Sequence, residues 1–103
     1  MRRLNSYIEV DMQRIEKITV DAAAFTDTAS THAALRAAIG EKGYAGSNLD
    51  ALHDVLTSIG RRTRITVTNY RAAEENLGEY AEKLALVLAV SASSNPVLTV
   101  VFE

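Results

Sequence analysis

Two aspartates, Asp50 and Asp54, stand four residues apart, with His53 between them and Thr57 three residues further on. On a helix, positions i, i+3, i+4 and i+7 share one face, so the four side chains would be presented together. Like charges at i and i+4 oppose helix formation by roughly 0.2–0.5 kcal/mol. The pair does not assist its own helix, which directs attention to something positive outside it. Four chemistries fit such a face. It can be a plain solvated stripe, as charged helix faces usually are. It can be a metal site, since Asp50, His53 and Asp54 have helical ligand spacing. A transition metal wants three or four protein ligands, however, and the only other histidine, His32, lies on an apolar stripe. It can be an acid–base pair, although no glycine-rich phosphate loop, nucleophile elbow or HExxH accompanies it. Or it can be a recognition surface, because carboxylates held on a helix are good ligands for arginine and lysine. Tyr44, just upstream, adds an aromatic of the kind enriched at interfaces. The competing reading of Tyr44 is a loop tyrosine packed on its own domain.

The elements that must position this face follow from hydrophobic period and breakers. Lys17–Asp21 reads as a strand. Thr28, Ser30 and Thr31 are candidate caps for a helix through HAALRAAI, with His32, Leu35 and Ile39 on one stripe. Gly40 and Gly43 end it and open a loop. Ser47 or Asn48 can cap the acidic helix, whose Leu49, Leu52, Leu56 and Ile59 form an apolar face opposite the acids; Gly60 is its expected stop. Ile65–Thr68 is β-branched throughout and reads as a second strand. A short helix over Tyr70–Leu77 breaks at Gly78. A longer one runs from Glu79 to about Ser93, with Tyr80, Leu84, Val87 and Leu88 as its core stripe, and Asn95-Pro96 stops it. Val97–Phe102 is almost wholly apolar, as a buried central or parallel strand would be. Strands alternating with helices predict an α/β domain with a mostly parallel sheet.

Composition narrows the classes. With 103 residues, 48% hydrophobic and 23% charged, the chain suits one globular domain able to bury a core unaided. It has no cysteine, which removes disulfides, thiolate metal sites and a cysteine nucleophile and fits a reducing compartment. A net charge of −2 and short arginine clusters at Arg2-Arg3 and Arg61–Arg64 do not describe a nucleic-acid surface. The polar stretch after Arg3 is unlike a signal peptide, and the apolar run Leu84–Val90 is too short for a membrane span. The expectation is a soluble cytoplasmic protein with no direct nucleic-acid or membrane partner.

The stretch Tyr44–Thr57, YAGSNLDALHDVLT, resembles the central motif of the barstar family, intracellular inhibitors of barnase-type bacterial ribonucleases. The family pattern is approximately Y-x-G-x-N-L-D-A-L-x-D-x-L-T, and the likeness extends more weakly over Lys17 to Phe102. It implies a small three-stranded parallel sheet packed with about four helices. It implies a protein that is not an enzyme and uses no cofactor, an immunity protein or antitoxin whose partner is a secreted or co-encoded microbial ribonuclease. In that picture Asp54 takes the place of a substrate phosphate and Asp50 meets a further arginine. Tyr44 packs on the catalytic histidine of the enzyme, and Gly46, Asn48, His53 and Thr57 line the contact. A protein-binding or regulatory module with a non-nuclease partner is the alternative on the same fold.

Three departures from the family stand out. His53 occupies the position where the family's namesake carries a tryptophan, exchanging contact area for a group that can be charged near neutral pH. The acid of the namesake's fourth helix is matched here by Val90. Residues 1–16 form an N-terminal extension to a domain of residues 17–103, and have no counterpart. Leu86 and Val90 lie away from the core stripe of the last long helix. Either the extension or a second subunit is expected to cover them, so that the protein is a monomer or a weak homo-oligomer.

Overall fold

A computed structural model describes residues 15–40, 44 and 47–103. The strands are β1 (Glu16–Asp21), β2 (Thr63–Thr68) and β3 (Leu98–Phe102), in the order β1-β2-β3 and all parallel. Parallel neighbours need crossovers. Helices α1 (Thr28–Ile39) and α2 (Leu49–Ser58) make the first, and α3 (Tyr70–Leu77) and α4 (Glu79–Ser94) make the second. Among the described residues this is the α/β fold, with three parallel strands and four helices, that the sequence predicts. A single 3-10 turn, Ala22–Ala24, follows β1. Residues 1–14 of the expected extension, and Gly43 and Gly46 of the loop, lie outside the described residues. Glu16 belongs to β1, its backbone nitrogen donating to the Arg62 carbonyl at 2.9 Å.

Alternation along the strands sends one face inward. Ile18 pairs with Ile65, which pairs in turn with Val100; Val20 pairs with Val67, which pairs with Phe102. Ile18, Val20, Ile65, Val67 and Leu98 are buried, whereas Lys17, Thr19, Arg64 and Thr99 on the other face are exposed. On the covered side, α1 packs on β1, α4 on β3, and α2 on α4. Leu52 and Leu56 of α2 are wholly buried, each worth roughly 1.5–3 kcal/mol relative to exposure.

Several local expectations are corrected. The cap of α1 is Asp27 rather than Thr28, Ser30 or Thr31. Its carboxylate accepts from Ser30 N at 2.7 Å, and Ser30 Oγ accepts from Asp27 N at 3.0 Å, a reciprocal capping box. Gly40 then closes α1 at φ 69, as expected of a terminating glycine. Helix α2 stops before Gly60: Ile59 is already extended, with its side chain buried. Along α4 the buried stripe is Ala81, Leu84, Leu88 and Ser91, with Tyr80 and Val87 only half-buried at its border. Strand β3 is parallel but lies at the sheet edge, and its apolar residues are only partly covered. Leu86 and Val90 are exposed, as the helical pattern predicts, at 64% and 44%.

Candidate functional site: the acidic face of helix α2

Helix α2 starts where Asn48 Oδ1 accepts from Ala51 N at 2.8 Å, so Asn48 serves first as the cap. Leu52, Val55 and Leu56 turn inward. The opposite side carries Asp50 and Asp54, both exposed, flanked by His53 and Thr57, both half-buried. The structure thus brings four of the predicted residues onto one face. Among the described residues, no side chain forms an ion pair or hydrogen bond with either carboxylate. Asp50 lies in the first turn, where a negative charge is favoured by the helix dipole. Asp54, further along, has no such local benefit. Thr57 Oγ1 donates to the His53 carbonyl at 2.8 Å and Ser58 Oγ to the Asp54 carbonyl at 2.7 Å, back-bonding one turn along the helix.

The far end of the helix is tied to α4. Asn95, buried at the end of α4, donates from Nδ2 to the carbonyls of Leu56 and Ile59, both at 2.9 Å. Its Oδ1 accepts from Val97 N at 3.2 Å, at the approach to β3. From sequence Asn95 reads only as a helix stop. No pattern marked it as a fastener for another helix.

The structure places Tyr44 within its own domain, the competing reading given above. It is 1% exposed, so its ring does not stand out as an anchor for a partner. Its hydroxyl and His32 Nδ1 are 2.5 Å apart, while His32 Nε2 lies 2.6 Å from the Tyr80 hydroxyl. Both ring contacts are edge-on. The physical reason is that a buried histidine needs partners at both nitrogens, and the loop tyrosine supplies one of them. His32 is therefore a satisfied core residue. Arg36, one turn further along α1, holds the Tyr44 carbonyl through Nε at 3.0 Å. The clue in the sequence was the i, i+4 pair His32 and Arg36, one face of α1 carrying two groups that must find polar partners.

Burial, reinforced by the nearby Arg36 charge, lowers the pKa of His32 below its ordinary 6.5. Burial likewise pushes the Tyr44 hydroxyl up to about 12. For the histidine the sign is fixed: the unfolded chain takes up the proton first. Its contribution to stability is complete above pH 6.5 and is lost as pH falls from there through the lowered folded value. Asp21 and Asp27, lowered by hydrogen bonds from Asn69 and from Ser30 respectively, lose theirs only below their ordinary 3.8. Urea midpoints at about pH 7.5 and 5.5 are expected to drop more in wild type than in His32→Asn, since only the wild type has this group to titrate. Equal drops would refute the assignment.

Among the described residues no three histidine, aspartate or glutamate side chains converge as metal ligands. No helix among them is long and apolar enough to cross a membrane. A family model described as Barstar (barnase inhibitor) matches residues 15–102. The chain belongs to the barstar family. Comparison with curated proteins gives no significant match. The barstar-family match spans all three strands and all four helices, so α2 and the residues fastening it lie within the family domain.

Proposed function

We propose that this barstar-family protein inhibits a secreted or co-encoded microbial ribonuclease, in the cytoplasm of the cell that makes it. The α2 face enters the phosphate-binding cleft of the enzyme. Asp54 occupies the place of a substrate phosphate, Asp50 meets a second cation, and His53 and Thr57 line the contact. One observation carries the reading: two exposed carboxylates on a rigid helix, with no partner among the described residues. A guanidinium-lined cleft offers them the bidentate hydrogen bonds that water gives only transiently. The protein acts as a ligand and performs no chemistry.

The burial of Tyr44 and the presence of His53 both reduce the aromatic contact available to barnase itself. They favour a cognate ribonuclease with a more polar rim around its cleft. The test is RNA cleavage by barnase and a panel of basic microbial ribonucleases, titrated with this protein. One-to-one inhibition of at least one enzyme is expected, weakening as salt rises from about 50 to 500 mM because exposed charges are screened. Full cleavage by every enzyme at micromolar inhibitor, with binding to a non-nuclease protein instead, would replace this reading by the regulatory-module alternative.

A further inference from the structure

Helix α1 contributes no side chain to the acidic face, yet its contacts end on the segment that leads into it. His32 is wholly buried and meets Tyr44 through Nδ1 and Tyr80 of α4 through Nε2. Arg36 holds the Tyr44 carbonyl, reaches Ser47 Oγ from Nη2 at 3.3 Å, and places its guanidinium carbon 5.2 Å from the Tyr44 ring centroid. Asn48, next in the chain after Ser47, caps α2. The approach to the acidic helix is thus gripped at the ring, hydroxyl and carbonyl of Tyr44 and again at Ser47.

We propose that His32 is a positioning residue for the acidic face, acting through Tyr44 to hold the entry to α2 at Ser47 and Asn48. The consequence for affinity rests on the inhibitor reading above; the hold on the entry does not. A neutral imidazole has one donor and one acceptor, and each flanking hydroxyl can play either part, so the ring joins the loop to α4 in either tautomer. Arg36 adds a planar fork that holds the Tyr44 carbonyl and Ser47 Oγ. A residue with no exposed surface cannot touch a partner, so any influence of His32 on binding passes through what it holds.

The two ring nitrogens can be separated by substitution. Asparagine puts its amide near the Nδ1 position and keeps a bond to Tyr44; glutamine reaches the Nε2 position and keeps Tyr80 instead. Amide hydrogen exchange at Ala51 and Leu52, whose amides donate to Asn48 Oδ1 at 2.8 Å and to the Asn48 carbonyl at 3.2 Å, reports the loop's hold on the entry to α2 in the unbound protein, and Ile65 and Val67 in the central strand report global opening. His32→Gln is expected to speed exchange at Ala51 and Leu52 about tenfold relative to the central strand, the effect of losing one buried hydrogen bond. It is expected to weaken binding to the ribonuclease that the wild type inhibits by a similar factor, whereas His32→Asn stays within about threefold on both measures. Tyr44→Phe, which keeps the ring and removes only the hydroxyl, should reproduce the His32→Gln pattern if the latter folds poorly. Equal exchange at Ala51 and Leu52 in the asparagine and glutamine variants, after correction for global opening, would overturn the proposal. So would a loosened entry to α2 with undiminished affinity for that ribonuclease. Failure of the wild type to inhibit any ribonuclease of the panel would instead overturn the partner assignment, with the exchange data still deciding whether His32 holds the entry to α2.

Discussion

Asp54→Ala will cut ribonuclease affinity by about 3–5 kcal/mol, two to nearly four orders of magnitude, because removing one member of a desolvated charge pair strands the other. The same substitution will leave folding stability unchanged or slightly raised. Asp54 is exposed and pairs with no described side chain. Alanine is the better helix former by up to about 0.7 kcal/mol, and the i, i+4 repulsion with Asp50 disappears. The expected signature is opposite signs for binding and stability, which separates a functional group from a structural one. Isothermal titration against an inhibited ribonuclease, with urea unfolding in parallel, measures both. A variant that binds as the wild type does, or that loses affinity only in step with stability, would refute the role given to Asp54.

Asn95→Ala will have the largest effect on the fold, lowering stability by about 2–4 kcal/mol. The substitution strands the Ile59 carbonyl and the Val97 amide and leaves the Leu56 carbonyl only its longer bond from Ile59 N at 3.4 Å, and each buried polar group left unpaired costs about 1–3 kcal/mol unless water reaches it. Asn95→Asp is no remedy, since it keeps the acceptor but sets a carboxylate against two carbonyl oxygens. Equilibrium urea denaturation gives the value directly. A loss below about 1 kcal/mol would mean that solvent replaces these bonds. With domain stabilities of about 5–15 kcal/mol, the variant should still fold at ambient temperature, so that its binding can be compared with that of Asp54→Ala.

Much of this arrangement was legible in the sequence, for reasons that differ by element. The strands and helices declare themselves through period and breakers, and Leu52 and Leu56 fall inward because the opposite face is charged. The acidic quartet could be placed because all four residues lie within one ten-residue helix and need no tertiary information. Tyr44 could not. Its loop has no period, and an amphipathic tyrosine suits an interface as well as a core until the unsatisfied histidine beneath it is known. Asn95 was similarly opaque: an asparagine before proline is sufficiently explained as a terminator, and its bonds run to residues 36 and 39 positions away. The edge position of β3 was obscured by its apolar composition, which reflects cover from α4 and from the Tyr70 ring beside Phe102 rather than a central place in the sheet.

The ten-residue helix α2 is fastened near both ends, at its entry through Tyr44 and Ser47 and at its exit through Asn95. Its conformational entropy is therefore lost when the chain folds, not when a partner arrives. Encounter with a partner then involves docking of an already formed surface, without a slow ordering phase. Association should follow a single exponential under excess partner, with a rate governed by ionic strength and collision geometry. Differences in affinity among related ribonucleases should appear chiefly in how long each complex survives.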